Sequence, residues 1–399
     1  MKLAYLIKKV ATYFQLLLGL EQDKMSANHI NHVEWIDRCK GILIFLVVLG
    51  HVVGPNAHLT AANVCGFYEA FYCVIYSFHM PAFFFLAGMT FKMSNDSFLS
   101  FVVKKFNRLM VPYYAFGIMS LIIFMVAYSK FQGSIGGIDA YYARKAELDW
   151  VWLCVGLLHG GQWPNGEGLR MNAALWFLPC LFSTEIVFYW LNRILPSRRV
   201  VKFGLIVACA LLAFVMVKKG CVYWPLGLNK VPYYLIFLIA GNMIGLLKDW
   251  NMQGCKQILS IVGCLVGMFF FTVAVGTMLD LSTMYYSSTW FSIFLIAAFV
   301  GIGLSIIFAQ LIRIGLLREL GVLSLGIMVT HKFFLLGVQF GMPWIRKLLA
   351  ESNILTSLFI TFLVALLATG GAWFGSRIIM YFAPYLLGKS RGPSPKETK

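Results

Sequence analysis

Charge is what this sequence has least of: 12% of its 399 residues are Asp, Glu, Lys or Arg, while 60% are apolar. A water-soluble domain of this length needs far more polar surface, so that class is excluded. The nine cysteines offer no Cys-x-x-Cys pair and no Cys/His cluster at zinc-ligand spacing, so no metal site is expected. Cys73, Cys180, Cys209 and Cys264 fall inside apolar runs, where a thiol acts as a small apolar side chain. The basic, partly apolar start has no small-x-small cleavage site, which argues against a cleaved signal peptide and for an interfacial helix. Met25 offers an alternative start. No second soluble domain and no internal repeat stand out.

What is present is a series of long apolar runs. Stretches 42–55, 109–129, 203–217, 231–247, 258–279, 281–312 and 354–376 contain no Asp, Glu, Lys or Arg. Three more carry isolated ionisable groups: 66–91 with Glu69 and His79, 173–192 with Glu185, and 320–344 with His331 and Lys332. A helix needs roughly 20 residues to cross ~30 Å of hydrocarbon, and most runs come near that. Helices satisfy their own amides where no water can, so the expected fold is all-α: a polytopic membrane bundle of about ten transmembrane helices. Three regions follow: an N-terminal segment 1–33, the bundle 34–385, and a disordered basic tail 386–399.

The net charge of +17 invites a nucleic-acid reading, which its distribution rejects. With the N-terminus cytosolic, inner segments collect most Lys and Arg, including Arg38, Lys40, Lys104, Lys105, Arg108, Arg198, Arg199, Arg313 and Arg318. This positive-inside bias puts both ends in the cytosol. Such a face attracts anionic membrane lipid or an anionic donor such as coenzyme A. The longest polar stretch, 130–172, falls on the outer side. Within it, 150–158 is apolar but too short to span, so it lies along the interface or re-enters. The turn-rich segment 159–166 that follows reads either as a carbohydrate-contacting surface or as an ordinary capping loop.

Ionisable groups inside a bilayer are costly, so His51, His79, Glu185 and His331 are functional candidates. Lys40 and His51 are eleven positions apart, close to three helical turns, so they share one face about 16 Å apart along the axis. A cation at the inner rim and a neutral imidazole near mid-depth suit an anionic ligand with a long flexible arm. The alternative is a histidine that merely bonds helix to helix. His79 precedes Pro81, which kinks its helix, and sits at matching depth.

The Lys40…His51 segment, His79-x-Pro-x-Phe-Phe-x-x-x-Gly, and Arg108-Leu109-Met110-Val111-Pro112-Tyr113 occur in order. Together with Leu175-Trp176-Phe177-Leu178 and Leu323-Ser324-Leu325-x4-Thr330-His331, they resemble the acyltransferase family three proteins, most closely the fucose 4-O-acetylase-like branch. The resemblance covers about residues 34–385. It implies a ten-helix bacterial inner-membrane enzyme moving acyl groups from cytosolic acyl-CoA, acetyl-CoA by default, onto sugar hydroxyls of a glycan or lipid-linked sugar. It makes His51 the catalytic histidine and His79 a donor or orienter in the same pore. Lys40 stands where many members carry Arg, which keeps the charge but loses bidentate recognition. Arg108 becomes a second cation for CoA phosphates, or else a positive-inside anchor. Trp176 packs at the outer mouth or joins the interfacial belt. His331 lines the pore from the ninth helix or simply packs. Glu185 is no hallmark of the family; it orients a histidine or is hydrogen-bonded and neutral.

The expected reaction is acyl transfer from thioester to alcohol. A neutral imidazole takes the hydroxyl proton, an effect worth roughly 10²–10⁴ in rate. His79 or a nearby amide supplies an oxyanion donor. Two rivals use the same residues: a proton-coupled secondary transporter with the histidines and Glu185 as relay, and a non-catalytic glycan-assembly scaffold.

Overall fold

A computed structural model of the chain describes residues 34–57, 62–93, 97–131, 150–160, 170–219, 224–245, 291–341 and 352–389, with positions 263 and 267 between. Helices and turns make up the described residues, with no strand among them. In chain order the helices are α1 (Glu34–Ala57), α2 (Ala62–Met89), α3 (Phe98–Lys105) and α4 (Val111–Phe131). Next come α5 (Trp150–His159), α6 (Phe177–Ile194), α7 (Arg199–Lys218) and α8 (Val231–Gly245). The last four are α9 (Phe291–Leu311), α10 (Gly315–Val322), α11 (Ser324–Gly341) and α12 (Ile354–Phe382). The expected N-terminal segment 1–33, the run 258–279 as a span, and loop residues 161–166 lie outside the described residues.

Among the described residues, six helices are long and apolar enough to cross a bilayer, or seven if α10 and α11, bent by 86°, count as one broken span. Most of 246–290, where the run 258–279 and the start of 281–312 fall, lies outside that count. Within it, α8 is described over 15 residues, Val231–Gly245, short of the roughly 20 that a crossing takes. Helix α1 opens with Glu34, Asp37, Arg38 and Lys40, which leaves a short uncharged remainder. The short helix α5 keeps Leu157 buried and Leu158 exposed, and the Tyr113 hydroxyl donates to the Leu157 carbonyl at 2.7 Å.

Helix α1 is the hub, packed by α2, α9, α10, α11 and α12. Glycines set the closest approaches. A Cβ on Gly321 would strike the Asp37 carbonyl, and one on Gly41 the Leu317 carbonyl, so α10 rides directly on the first turns of α1. Gly88 and Gly241 do the same between α2 and α8, against the carbonyls of Leu238 and Phe85. Such backbone contact is how membrane helices pack tightly without a hydrophobic drive.

Between α3 and α4 the chain makes a π turn, Phe106–Met110, with the Val111 amide donating to the Phe106 carbonyl. Pro112 has no N–H for the Arg108 carbonyl four residues back, so a regular α-helix fails here. That backbone is covered from the far end of the chain. After α12 a 3-10 turn, Pro384–Leu387, ends in Gly388 at φ 66°, whose missing Cβ would lie 2.5 Å from Arg108 Cα. Leu387 is buried. The described residues run on to Lys389; residues 390–399 lie outside the described set.

Candidate active site

Three helices bring their histidines together in mid-bundle. The rings of His51 (α1) and His331 (α11) stack with centroids 5.2 Å apart, and Tyr76 (α2) stands edge-on to His51 at 6.1 Å. The Tyr76 hydroxyl is 3.2 Å from His51 Nδ1, and its ring lies 4.8 Å from that of His79. Tyr72 stacks on Tyr76 at 3.9 Å. His51 keeps part of its surface open, whereas His79 and His331 are buried.

The backbone fixes the proton positions of two rings. His79 Nδ1 lies 2.6 Å from the Ile75 carbonyl and His331 Nδ1 3.0 Å from the Ile327 carbonyl. A carbonyl only accepts, so in each neutral ring Nδ1 carries the hydrogen and Nε2 is a bare lone pair. His331 Nε2 is buried with no hydrogen-bond partner, an open acceptor in an apolar setting. A neutral His79 has no second N–H to give, so the oxyanion-donor role expected for it does not fit; its contact with Tyr76 suits an orienting role.

At the end of the bundle where α1 begins, cations gather around a buried carboxylate. Lys40 Nζ is 3.4 Å from Asp37 Oδ1. Lys389, just past Gly388, senses both Arg108 and Asp37, and burial followed by Arg108 lowers its pKa. Arg108 itself is exposed. Beside this group but on a different face, Arg38 donates to the Ala309 carbonyl at 2.8 Å and to Glu34. The rim cations and the imidazoles are separated by the three turns that the spacing of Lys40 and His51 requires.

Glu185 goes elsewhere. Its carboxylate takes the Lys105 ammonium at 2.7 Å, and that ammonium sits 5.6 Å from the Phe91 ring and 5.5 Å from Phe101. Phe91 is twelve positions beyond His79, on the order of 18 Å along a helix axis, so the pair is remote from the histidines. A buried pair of this kind locks α3 to α6.

Trp176 ends a 3-10 turn, Arg170–Trp176, that dips against α11. Asn172 in this turn is fully buried, donates to the Val329 carbonyl at 3.0 Å, and leaves its own Oδ1 without a partner. The Trp176 indole lies 5.7 Å from the Tyr234 ring and under the Lys230 ammonium at 4.1 Å. Sequence reading missed Tyr76, Asn172 and Lys389. Tyr72, Tyr76 and His79 do fall at helical spacing on one face of α2, which was the available signal. Among the described residues no group of three His, Cys, Asp or Glu side chains is placed to hold a metal ion.

Among the described residues, an all-helical bundle with membrane-length apolar helices and a cluster of imidazoles inside it is the build of a membrane protein. Comparison with known families then gives its lineage. The acyltransferase family three model, described as an acyltransferase domain, matches residues 33–387, and the chain belongs to that family. It is thus a membrane acyltransferase by family. Comparison with curated proteins and with solved structures gave no match.

Proposed function

We propose that the protein is an O-acyltransferase of the fucose 4-O-acetylase-like branch, moving an acetyl group from cytosolic acetyl-CoA to a sugar hydroxyl of a surface or secreted glycan. It does so in a bacterial inner membrane, from a ten-span bundle with both ends in the cytosol. One observation carries the reading: the stacked His51–His331 pair, with Tyr76 on His51 Nδ1, stands about three helical turns from the Lys40–Arg108–Lys389 rim.

The rim cations hold the CoA phosphates, and the pantetheine arm carries the thioester inward. In the tautomer that places its hydrogen on Nδ1, toward the Tyr76 hydroxyl, His51 has a bare Nε2. That lone pair takes the acceptor hydroxyl proton as the oxygen attacks the thioester carbonyl; the C–S bond breaks, and the proton passes to the departing thiolate. His331 Nε2 accepts a hydrogen bond from the acceptor sugar and helps hold the hydroxyl in line.

The test is purified full-length protein in detergent with acetyl-CoA and candidate glycans. CoA release that needs both, with ester appearing on the sugar by mass spectrometry, supports the reading. Solute uptake by reconstituted protein without CoA release would make it a transporter instead.

A further inference from the structure

Acyl transfer to a hydroxyl needs a hydrogen-bond donor that the histidines do not supply. When the acceptor oxygen adds to the thioester carbonyl, negative charge develops on the carbonyl oxygen. His79 and His331 commit their N–H groups to the Ile75 and Ile327 carbonyls, and His51 in its working tautomer turns its own toward Tyr76. The three rings therefore present lone pairs to the site. Lone pairs repel an oxyanion.

Lys332 follows His331 directly on α11 and has the missing chemistry. The His331 ring stacks on His51 in mid-bundle, and the next residue lies only about 1.5 Å further along the axis, so Lys332 sits at the same depth. Two observations direct it inward. Asn172 of the turn Arg170–Trp176 donates to the Val329 carbonyl, and a helical side chain covers the turn before its own Cα. That sets Lys332 beside the Arg170–Trp176 turn rather than against lipid. Its ammonium is also near enough for its charge to act on both the His51 and the His331 rings. Like His51, Lys332 keeps part of its surface open. Among the described residues no carboxylate pairs with the ammonium and no hydrogen bond holds it. A charge at this depth without a counter-charge is costly, which marks it as functional.

We propose that Lys332 is a further catalytic residue, donating to the oxyanion of the tetrahedral intermediate. The inference rests on the acyl-CoA reading of the site. In the step itself the acceptor oxygen bonds to the carbonyl carbon while His51 Nε2 takes its proton, and the carbonyl π pair becomes the oxyanion held by the ammonium. That pair then re-forms C=O, the C–S bond breaks with its electrons on sulfur, and His51 returns the proton to the thiolate. Lys332 keeps its protons throughout; it supplies charge, not acid. A fixed charge in a water-poor site counts for more than in water, and loss of one oxyanion donor costs about 10²–10³ in kcat.

The experiment reads the oxyanion contact without the acceptor sugar. Full-length protein in nanodiscs of neutral lipid is titrated by calorimetry with two CoA thioethers. S-acetonyl-CoA carries a plain ketone; S-trifluoroacetonyl-CoA carries a ketone that adds water to a readily ionised gem-diol, a mimic of the tetrahedral oxyanion. Wild type should bind the fluorinated analogue tighter by at least about tenfold, the worth of one charge-assisted hydrogen bond. Lys332→Met should bring the two affinities together while leaving that of the plain ketone unchanged, which also shows that the variant is folded. Lys332→Gln is a second neutral variant judged in the same way, and Lys332→Arg should restore part of the preference. Equal binding of the two analogues by wild type, or a preference that survives both neutral variants, overturns the proposal and leaves the acyl-CoA reading standing. Failure of wild type to bind either analogue removes the acyl-CoA reading and this inference with it.

Discussion

Replacing Gly321 with alanine tests the packing of the hub helix more sharply than any change at the site. A Cβ there falls well inside 3.0 Å of the Asp37 carbonyl, a distance real Cβ atoms do not reach, and the obstacle is backbone that cannot swing aside. Helices α1 and α10 must part by on the order of 1 Å, which costs about 3 kcal/mol at the upper end of overpacking. Better helix propensity returns about 1 kcal/mol, leaving a net loss of about 2 kcal/mol. Gly303 in α9 is the control: nothing lies within 4 Å of its added Cβ, so Gly303→Ala keeps the propensity gain of about 1 kcal/mol. The two variants should therefore stand about 3 kcal/mol apart in opposite directions, by the same two effects. Buried thiols make the assay simple. Among the described residues Cys39, Cys180 and Cys209 are buried thiols and Cys154 is exposed, so a thiol-reactive dye reports unfolding as a rise above the signal of the folded protein during a thermal ramp. Gly321→Ala melting at or above Gly303→Ala would refute the argument for backbone contact.

His51→Ala should lower acyl transfer by at least about a hundredfold while membrane insertion and the melting curve persist; full turnover would remove His51 from the mechanism. Tyr76→Phe deletes the 3.2 Å hydrogen bond to His51 Nδ1 and should cost about fivefold in kcat with little change in KM, read by steady-state CoA release. Lys105→Met leaves the Glu185 carboxylate buried alone and should destabilise by about 3–5 kcal/mol, whereas the double change Lys105→Met, Glu185→Leu should recover most of that in the same thermal assay.

The helical class and the histidines were legible because both are written locally. Apolar runs announce helices, and the eleven-residue interval from Lys40 to His51 fixes a shared face with no knowledge of neighbours. Interhelical partners were not legible. Lys105 looked like one more positive-inside residue, yet it reaches Glu185 eighty positions away, a pairing that depends on how α3 lies on α6. Lys389 looked like part of a disordered tail, because nothing local reveals that Gly388 fits the bare backbone of the π turn. The proton positions on His79 and His331 were likewise invisible, since they follow from carbonyls one turn back. Of the ten spans read from the apolar runs, the described residues bear out six, or seven with the broken pair α10 and α11.

The clasp of Gly388 on the π turn has a bearing on assembly. The Arg108 corner is one of the first structures to leave the ribosome, yet the piece that closes it is made 280 positions later. A nascent chain therefore holds that corner half-built until α12 has been inserted. Trimming or tagging just inside Gly388 would leave every upstream helix in place and still strand that corner unfinished.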